Sequence, residues 1–175
     1  MIKLEFPLLR QTFKYDCGAI ALEAVLAYYG IELREDHLLK QAGTTKKGTP
    51  LNGIVRTARH FGLKCHSRKM ALDDLQKYLD KKIPVILVLQ AWSTKPKVNW
   101  VNDWADGHYV VAIGYSKTRV YFQDPSSFKC TYLTINELGK RWHDAGADGK
   151  RYVSHGIAVF GRKPVFSSKA MEHMG

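Results

Sequence analysis

The sequence has few cysteines and no paired cysteine motif. Three occur in 175 residues, Cys17, Cys65 and Cys130, and no two of them form a C-x-x-C pair. An odd number of widely spaced cysteines argues against a disulfide framework and against a cysteine-based zinc site. No cofactor or metal is therefore expected, and one of these cysteines is a candidate reactive thiol.

Long apolar runs are also missing. No stretch reaches the roughly 18 continuous apolar residues of a membrane span. The N-terminal "MIKLEFPLLRQ" carries charges and no small-residue cleavage site, so no signal peptide is expected. These absences predict a cytoplasmic protein. The length predicts one domain over residues 1–162, followed by a weakly ordered tail over residues 163–175.

Acidic residues are scarce relative to basic ones, but the basic residues are not clustered. The net charge is +11, from 27 Lys and Arg against 16 Asp and Glu, and no run reaches five like charges. No aromatic-basic signature of RNA binding appears, so no specific nucleic-acid partner is expected. The charge predicts a solvated cationic surface, with acidic peptides or anionic membrane surfaces as candidate partners.

Helical patterns precede strand patterns along the chain. A helix that is apolar nearly all round is predicted from Cys17 to Tyr29, ending at Gly30, and such a helix is typical of a buried position. Further helices are predicted at 35–41, 51–61, 71–82 and 135–142. Strands are predicted at 2–5, 63–69, 84–91, 108–115, 119–125, 129–134 and 153–161. This order predicts an α+β fold, in which an N-terminal helical half packs on a C-terminal antiparallel sheet.

Cys17 stands where a nucleophilic cysteine is favoured. Unpaired N–H groups and the macrodipole at a helix N-terminus stabilise a thiolate, and Gly18 removes a side chain that would crowd a substrate. The alternative is a buried structural cysteine that packs as a small hydrophobe. Cys17 taken alone does not separate the two.

Three further residues supply what a thiolate nucleophile requires. His108 begins an apolar strand, where an imidazole has no packing role, and Asp124 ends the next strand. A hairpin with its turn at Ser116–Thr118 would bring these two side chains together, and the carboxylate would then fix the imidazole tautomer. Gln11, six positions before Cys17, is a candidate oxyanion donor.

Three stretches together carry a resemblance to a known family. They are "QTFKYDCGAIALEAVLAYYG" (11–30), "GHYVVAIGY" (107–115) and "DPSS" (124–127). The chain resembles the papain-like cysteine peptidases that process bacteriocin leaders of the double-glycine type, found as transporter domains and as free-standing proteins. The resemblance covers about residues 7–162, includes "LTINELGKRW" and keeps the chain order Gln, Cys, His, Asp.

The resemblance implies a role for each candidate residue. Cys17 would be the nucleophile and His108 its general base and acid. Asp124 would orient His108, and Gln11 would donate to the oxyanion together with the Cys17 backbone N–H. The implied partner is a peptide or protein substrate, cleaved through a thioester. The sequence departs from transporter-linked members because no membrane or ATPase segment follows, and because residues 91–107 look longer than a minimal domain needs.

Two other functions remain open at the level of sequence. An acyltransferase or transglutaminase-like enzyme would use the same thioester, since an amine competes with water for it. A non-catalytic peptide-binding module is the third alternative, and the complete Cys-His-Asp set counts against it.

The long segment 91–107 holds three of the four tryptophans, Trp92, Trp100 and Trp104. They are predicted to anchor the loop, with a lid over the cleft as the alternative. His143 and Asp144 are predicted to lie in a polar loop, with a place on the cleft rim as the alternative.

Overall fold

The computed structural model describes residues 1–175 and contains five helices and nine strands. The helices are α1 (Cys17–Tyr28), α2 (Glu35–Ala42), α3 (Leu51–His60), α4 (Leu72–Asp80) and α5 (Ile135–Arg141). The strands are β1 (Ile2–Lys3), β2 (Lys64–Lys69), β3 (Val85–Gln90), β4 (Gly107–Tyr115), β5 (Arg119–Gln123), β6 (Thr131–Thr134), β7 (His143–Ala145), β8 (Arg151–Val153) and β9 (His155–Phe160).

Seven strands form one sheet, and every pairing in it is antiparallel. The order is β2-β9-β3-β4-β5-β6, and β1 pairs with the end of β4. Strand β3 pairs with β4 only as far as Ala112, and β1 continues the same edge at Gly114 and Tyr115. The long strand β4 is therefore central, and its first residues lie at one end of the sheet, where the segment that follows β5 also lies.

Helix α1 is buried because it has no polar face. Its residues from Gly18 to Leu26 are buried except for the half-buried Glu23. It packs against β4 on one side and against α2 and α3 on the other. Gly30 follows the C-cap of this helix, and its φ of +73° is the left-handed conformation that glycine adopts without strain. The first residue of α1, Cys17, is thus held by the core of the protein.

The predicted α+β architecture, with helices first and an antiparallel sheet after them, is confirmed. One local prediction is wrong, since residues 143–153 form the β7–β8 hairpin instead of a polar loop. A strand of three residues is too short to show alternation in the sequence. The turn is closed by a hydrogen bond from the Gly146 N–H to the Lys150 carbonyl, and Gly149 has a φ of +76°.

The C-terminal residues contact the N-terminal half. The Val165 N–H donates to the Tyr28 carbonyl at 3.1 Å, and Ser168 bonds to the carboxylate of Glu5 through its N–H at 2.7 Å. The weak order expected for residues 163–175 stays a prediction. None of the five helices has the length and apolar character needed to cross a membrane.

Two helical glycines give a matched test of the packing between α2 and α3. A Cβ at Gly53 in α3 would overlap the backbone carbonyl of Ala42, whereas a Cβ at Gly139 in α5 would meet no atom within 4 Å. We expect Gly53→Ala to lower the free energy of unfolding by about 1–3 kcal/mol through overpacking. Gly139→Ala should raise it by up to about 1 kcal/mol through helix propensity. Urea unfolding of both variants measures this, and equal effects would contradict the described contact between α2 and α3.

Candidate active site

Cys17 is the first residue of α1, and the backbone N–H groups at the start of this helix have no side-chain partner. The first turn contains no acidic residue and no side chain caps it. The preceding Asp16 is fully buried, but its carboxylate accepts from the backbone N–H groups of Thr12 and Phe13 at 3.2 and 3.1 Å. Asp16 therefore holds the loop before the helix and leaves the helix N-terminus to the half-buried Cys17 thiol.

Gly18 brings α1 close to β4. A Cβ at this position would lie 2.9 Å from the ring of Tyr109 and 2.8 Å from Thr49. Only a glycine permits this approach, because such distances are too short for carbon atoms. Tyr109 follows His108 directly in β4, so the same packing fixes the distance between the thiol and the imidazole.

His108 and Asp124 meet across the β4–β5 hairpin. The Nε2 atom of His108 lies 2.7 Å from Oδ1 of Asp124, and both residues are buried, with 6% and 3% of their surface exposed. The turn closes where the Ser116 N–H donates to the Arg119 carbonyl. Because Nε2 bonds to Asp124, Nδ1 is the ring nitrogen that remains free to exchange a proton with another group.

The carboxylate of Asp124 accepts four hydrogen bonds. Besides the His108 ring, the Ser126 N–H donates to Oδ1 at 2.8 Å. The Trp92 indole Nε1–H donates to Oδ2 at 3.0 Å, and the Thr131 hydroxyl does so at 3.3 Å. The Trp92 backbone has a φ of +58°, a strained conformation for a residue other than glycine, while its side chain is exposed. No pattern in the sequence indicates this indole donor.

The hydrogen bonds shift the pKa values of both partners toward an ion pair. Burial disfavours the charged imidazole, but the bonds to Asp124 and Cys17 outweigh burial and raise the pKa of His108 from 6.5 to about 9. Burial would also raise the pKa of Asp124, but the bonds from His108, Ser126 and Trp92 hold it below its usual value. An imidazolium at neutral pH is the protonated form that a leaving amine requires.

Gln11 lies beside the turn that follows Asp124. Its backbone N–H donates to the Pro125 carbonyl at 2.8 Å, and its side-chain oxygen accepts from the Ser126 hydroxyl at 3.3 Å. Its Nε2 donates to the carbonyl of Phe13 at 2.5 Å. A carboxamide has two N–H groups, so one of them is left for another acceptor.

A cavity of about 240 Å³ opens at Cys17 on the side of Gly107 and Tyr109. Asp144, from the β7–β8 hairpin, lines it and is largely buried. Its Oδ1 accepts from Gln90 Nε2 at 3.0 Å and from the Ala145 N–H at 2.8 Å, and burial raises its pKa to about 6. Gly107 leaves room for this carboxylate, which a Cβ at that position would overlap. The predicted polar loop is thus a wall of the cavity.

The three tryptophans of residues 91–107 have separate contacts and form no cluster. Trp92 bonds to Asp124, Trp100 lies 3.9 Å under the guanidinium of Arg141, and Trp104 lies 4.5 Å from the ring of His143. Trp104 also lines the cavity at Cys17. These contacts hold residues 91–107 in place beside the site.

The other cysteines are placed differently. Cys65 is buried in β2, and burial raises its pKa to about 11. Cys130 is half-buried just before β6, and its thiol contacts the Thr131 carbonyl at 3.7 Å. Neither lies at a helix N-terminus, so the geometry favours Cys17 as the reactive thiol.

Comparison with known proteins gives a family match over most of the chain. The model of the Peptidase C39 family matches residues 5–146. Over 133 residues the chain is 27% identical to the pediocin PA-1 transport/processing ATP-binding protein PedD of Pediococcus acidilactici, an alignment that covers 75% of this chain and 17% of PedD. The chain therefore matches less than a fifth of the length of that relative.

Solved structures share the fold at low sequence identity. The peptidase domain of Streptococcus ComA, a bifunctional ABC transporter of a quorum-sensing pathway, has a TM-score of 0.68 at 23% identity, covering 93% of this chain and 100% of that one. A double-glycine-motif protease from an AMS/PCAT transporter, crystallised with its leader peptide, has a TM-score of 0.66 at 19% identity, covering 93% and 94% of the two chains. Both likenesses establish a papain-like fold.

The pKa of His108 gives a spectroscopic test of the site. We expect the His108 imidazole signals in an NMR titration to move with a midpoint near pH 9. In Asp124→Ala the midpoint should fall toward 6.5, because the hydrogen bond that favours the cation is lost. His155 is an internal control, since burial lowers its pKa below 6.5 in both proteins. An unchanged His108 midpoint in Asp124→Ala would contradict the described pair.

Proposed function

Because the chain belongs to the Peptidase C39 family of papain-like cysteine peptidases, we propose that it hydrolyses a peptide bond with Cys17 as the nucleophile. His108 is its acid and base, and Asp124 orients His108. The supporting observation is the buried hydrogen bond between His108 and Asp124, near Cys17 at the N-terminus of α1. The helix N-terminus and the imidazolium of His108 favour a thiolate at Cys17, and the carboxylate of Asp124 favours the imidazolium.

The reaction follows from the protons that these groups hold. The Cys17 thiolate attacks the scissile carbonyl, and a C–S bond forms. The His108 imidazolium then gives its proton to the amine nitrogen, the C–N bond breaks and the amine leaves. Water attacks the thioester while neutral His108 takes a proton from it, so that a C–O bond forms and the C–S bond breaks. The peptide acid is released, and Cys17 and His108 are restored as thiolate and imidazolium. Asp124 holds the ring in one tautomer throughout.

The developing oxyanion requires donors on the side of Cys17. The backbone N–H of Cys17 at the helix start is one, and the second N–H of the Gln11 carboxamide is the other. The bond from the Ser126 hydroxyl holds the Gln11 oxygen, and the amide nitrogen, which gives one N–H to the Phe13 carbonyl, keeps a second N–H for the oxyanion. Ser126 also bonds to Asp124, and so ties Gln11 to the carboxylate that orients His108.

We propose a peptide substrate of the double-glycine leader type. Two observations support it: PedD is described as a transport and processing protein, and the AMS/PCAT protease was crystallised with a leader peptide. A second cavity, of about 300 Å³, adjoins Asp124 and Trp92. Its apolar lining suits the apolar side chains of a peptide, and includes Leu89, Val110, Phe122 and Leu133.

The thiols provide the first test. We expect limited iodoacetamide treatment at neutral pH to alkylate Cys17 before Cys65 or Cys130, because Cys17 lies at a helix N-terminus near the His108 imidazole, whereas Cys65 is a buried thiol with a pKa of about 11. Intact-mass spectrometry with peptide mapping identifies the modified site, and His108→Ala should remove the preference. Equal rates at the three thiols of the folded protein would contradict the nucleophile assignment.

The order of the triad variants is the second test, measured as release of a fluorophore from peptides ending in Gly-Gly. His108→Ala should lose about 10²–10⁴-fold in kcat, because it removes the proton carrier. Asp124→Asn retains an acceptor for the ring and should lose least, while Asp124→Ala lies between. The melting temperature of each variant is the control for stability. If Asp124 only stabilised the turn that follows β5, activity would fall only in proportion to the fraction of unfolded protein. A folded, fully active Asp124→Ala would contradict its role.

A further inference from the structure

We propose that the cavity at Cys17 selects peptides with an acidic side chain near the scissile bond, through a lysine rim formed by Lys14, Lys46 and Lys47. The inference rests on the proposed peptidase function and adds the charge of its substrate.

The three lysines of this rim come from two separate segments and line one cavity. Lys14 lies in the loop before α1, and Lys46 and Lys47 lie between α2 and α3; all three line the cavity that contains Cys17. All three are exposed, and none is among the residues that form salt bridges. Their charges are therefore available to a bound molecule.

The turn that carries two of these lysines is held by its own hydrogen bonds. Thr45 and Gly48 exchange both backbone bonds, at 3.0 and 2.9 Å, and the Thr44 and Thr49 hydroxyls bond at 2.9 Å. The Tyr109 hydroxyl in β4 donates to the Thr49 carbonyl at 3.1 Å. This turn is thus fastened to the strand that carries His108, and the lysine backbones have a fixed position beside the nucleophile.

One carboxyl group opposes the lysine rim, and it lies deeper. Asp144 is the acidic residue among those lining the cavity, against the three lysines, and it is buried whereas they are exposed. Its Oδ1 is already taken by Gln90 and by the Ala145 N–H. A substrate carboxylate therefore meets unpaired positive charge at the rim before it meets Asp144.

Two alkylating probes that are matched in size but differ in charge test the lysine rim without a peptide. Iodoacetate and iodoacetamide both react by attack of the Cys17 thiolate on carbon, with a C–S bond formed and iodide released, and they differ by one negative charge. The measured quantity is the ratio of their rate constants at Cys17, iodoacetate over iodoacetamide. In Lys46→Glu/Lys47→Glu we expect this ratio to fall by about tenfold at low salt, and by less at 1 M salt, where screening is strong.

The matched control is Lys81→Glu/Lys163→Glu. These two lysines are exposed, form no salt bridge and do not line the cavity, and their reversal changes the net charge equally. The control should leave the ratio unchanged. An unchanged ratio in the rim variant, or an equal fall in both variants, would overturn the proposal, since the second result assigns the effect to the overall charge.

Peptides then test the selection itself. Matched Gly-Gly peptides with Glu or Lys at each position near the scissile bond are compared by kcat/KM. At one position at least, the preference for Glu should be strong in the wild type and lost in the rim variant. A preference that survives in the rim variant would overturn the proposal. If the wild type cleaves no peptide, the proposed peptidase function fails, while the probe ratio still reports on the lysine rim.

Discussion

A buried carboxylate needs compensation, and the arrangement around Asp124 follows from that need. Four donors reach it from four parts of the chain: the His108 ring in β4, the Ser126 N–H in the next turn, the Thr131 hydroxyl at the start of β6, and the Trp92 indole after β3. Loss of any donor leaves a buried lone pair at a cost of about 1–3 kcal/mol. The same bonds that make the charge tolerable fix the direction of the His108 ring.

Packing in the core of the protein sets the distance between Cys17 and His108. Tyr109 and His108 are neighbours in β4, so their side chains point to opposite faces of the strand. Tyr109 packs on Gly18 and bonds to the Thr49 carbonyl. One buried ring thereby positions two parts of the site relative to the strand that carries the imidazole: the start of α1, with Cys17, and the turn that carries Lys46 and Lys47.

Much of this arrangement is predictable from the sequence, because it depends on patterns that extend over many residues. The all-round apolar helix and the apolar strands predict the α+β fold. The hairpin predicted from β4 and β5 brings together the strand ends at which His108 and Asp124 meet. The β7–β8 hairpin is too short to leave a pattern, so the burial of Asp144 was not predicted. The Trp92 donor depends on a left-handed backbone, which a tryptophan does not indicate in a sequence as a glycine would.

Asp144 bears on where a substrate charge can lie. Its carboxylate is largely buried near Cys17, and burial rather than a charged partner dominates its pKa of about 6, so near neutral pH it adds negative charge to the inner cavity. A second carboxylate placed there would be repelled and would oppose attack by a thiolate. The lysine rim offers the opposite charge farther out, at exposed positions. The two features together favour a substrate whose acidic side chain stays at the rim while a small, uncharged segment enters beside Cys17.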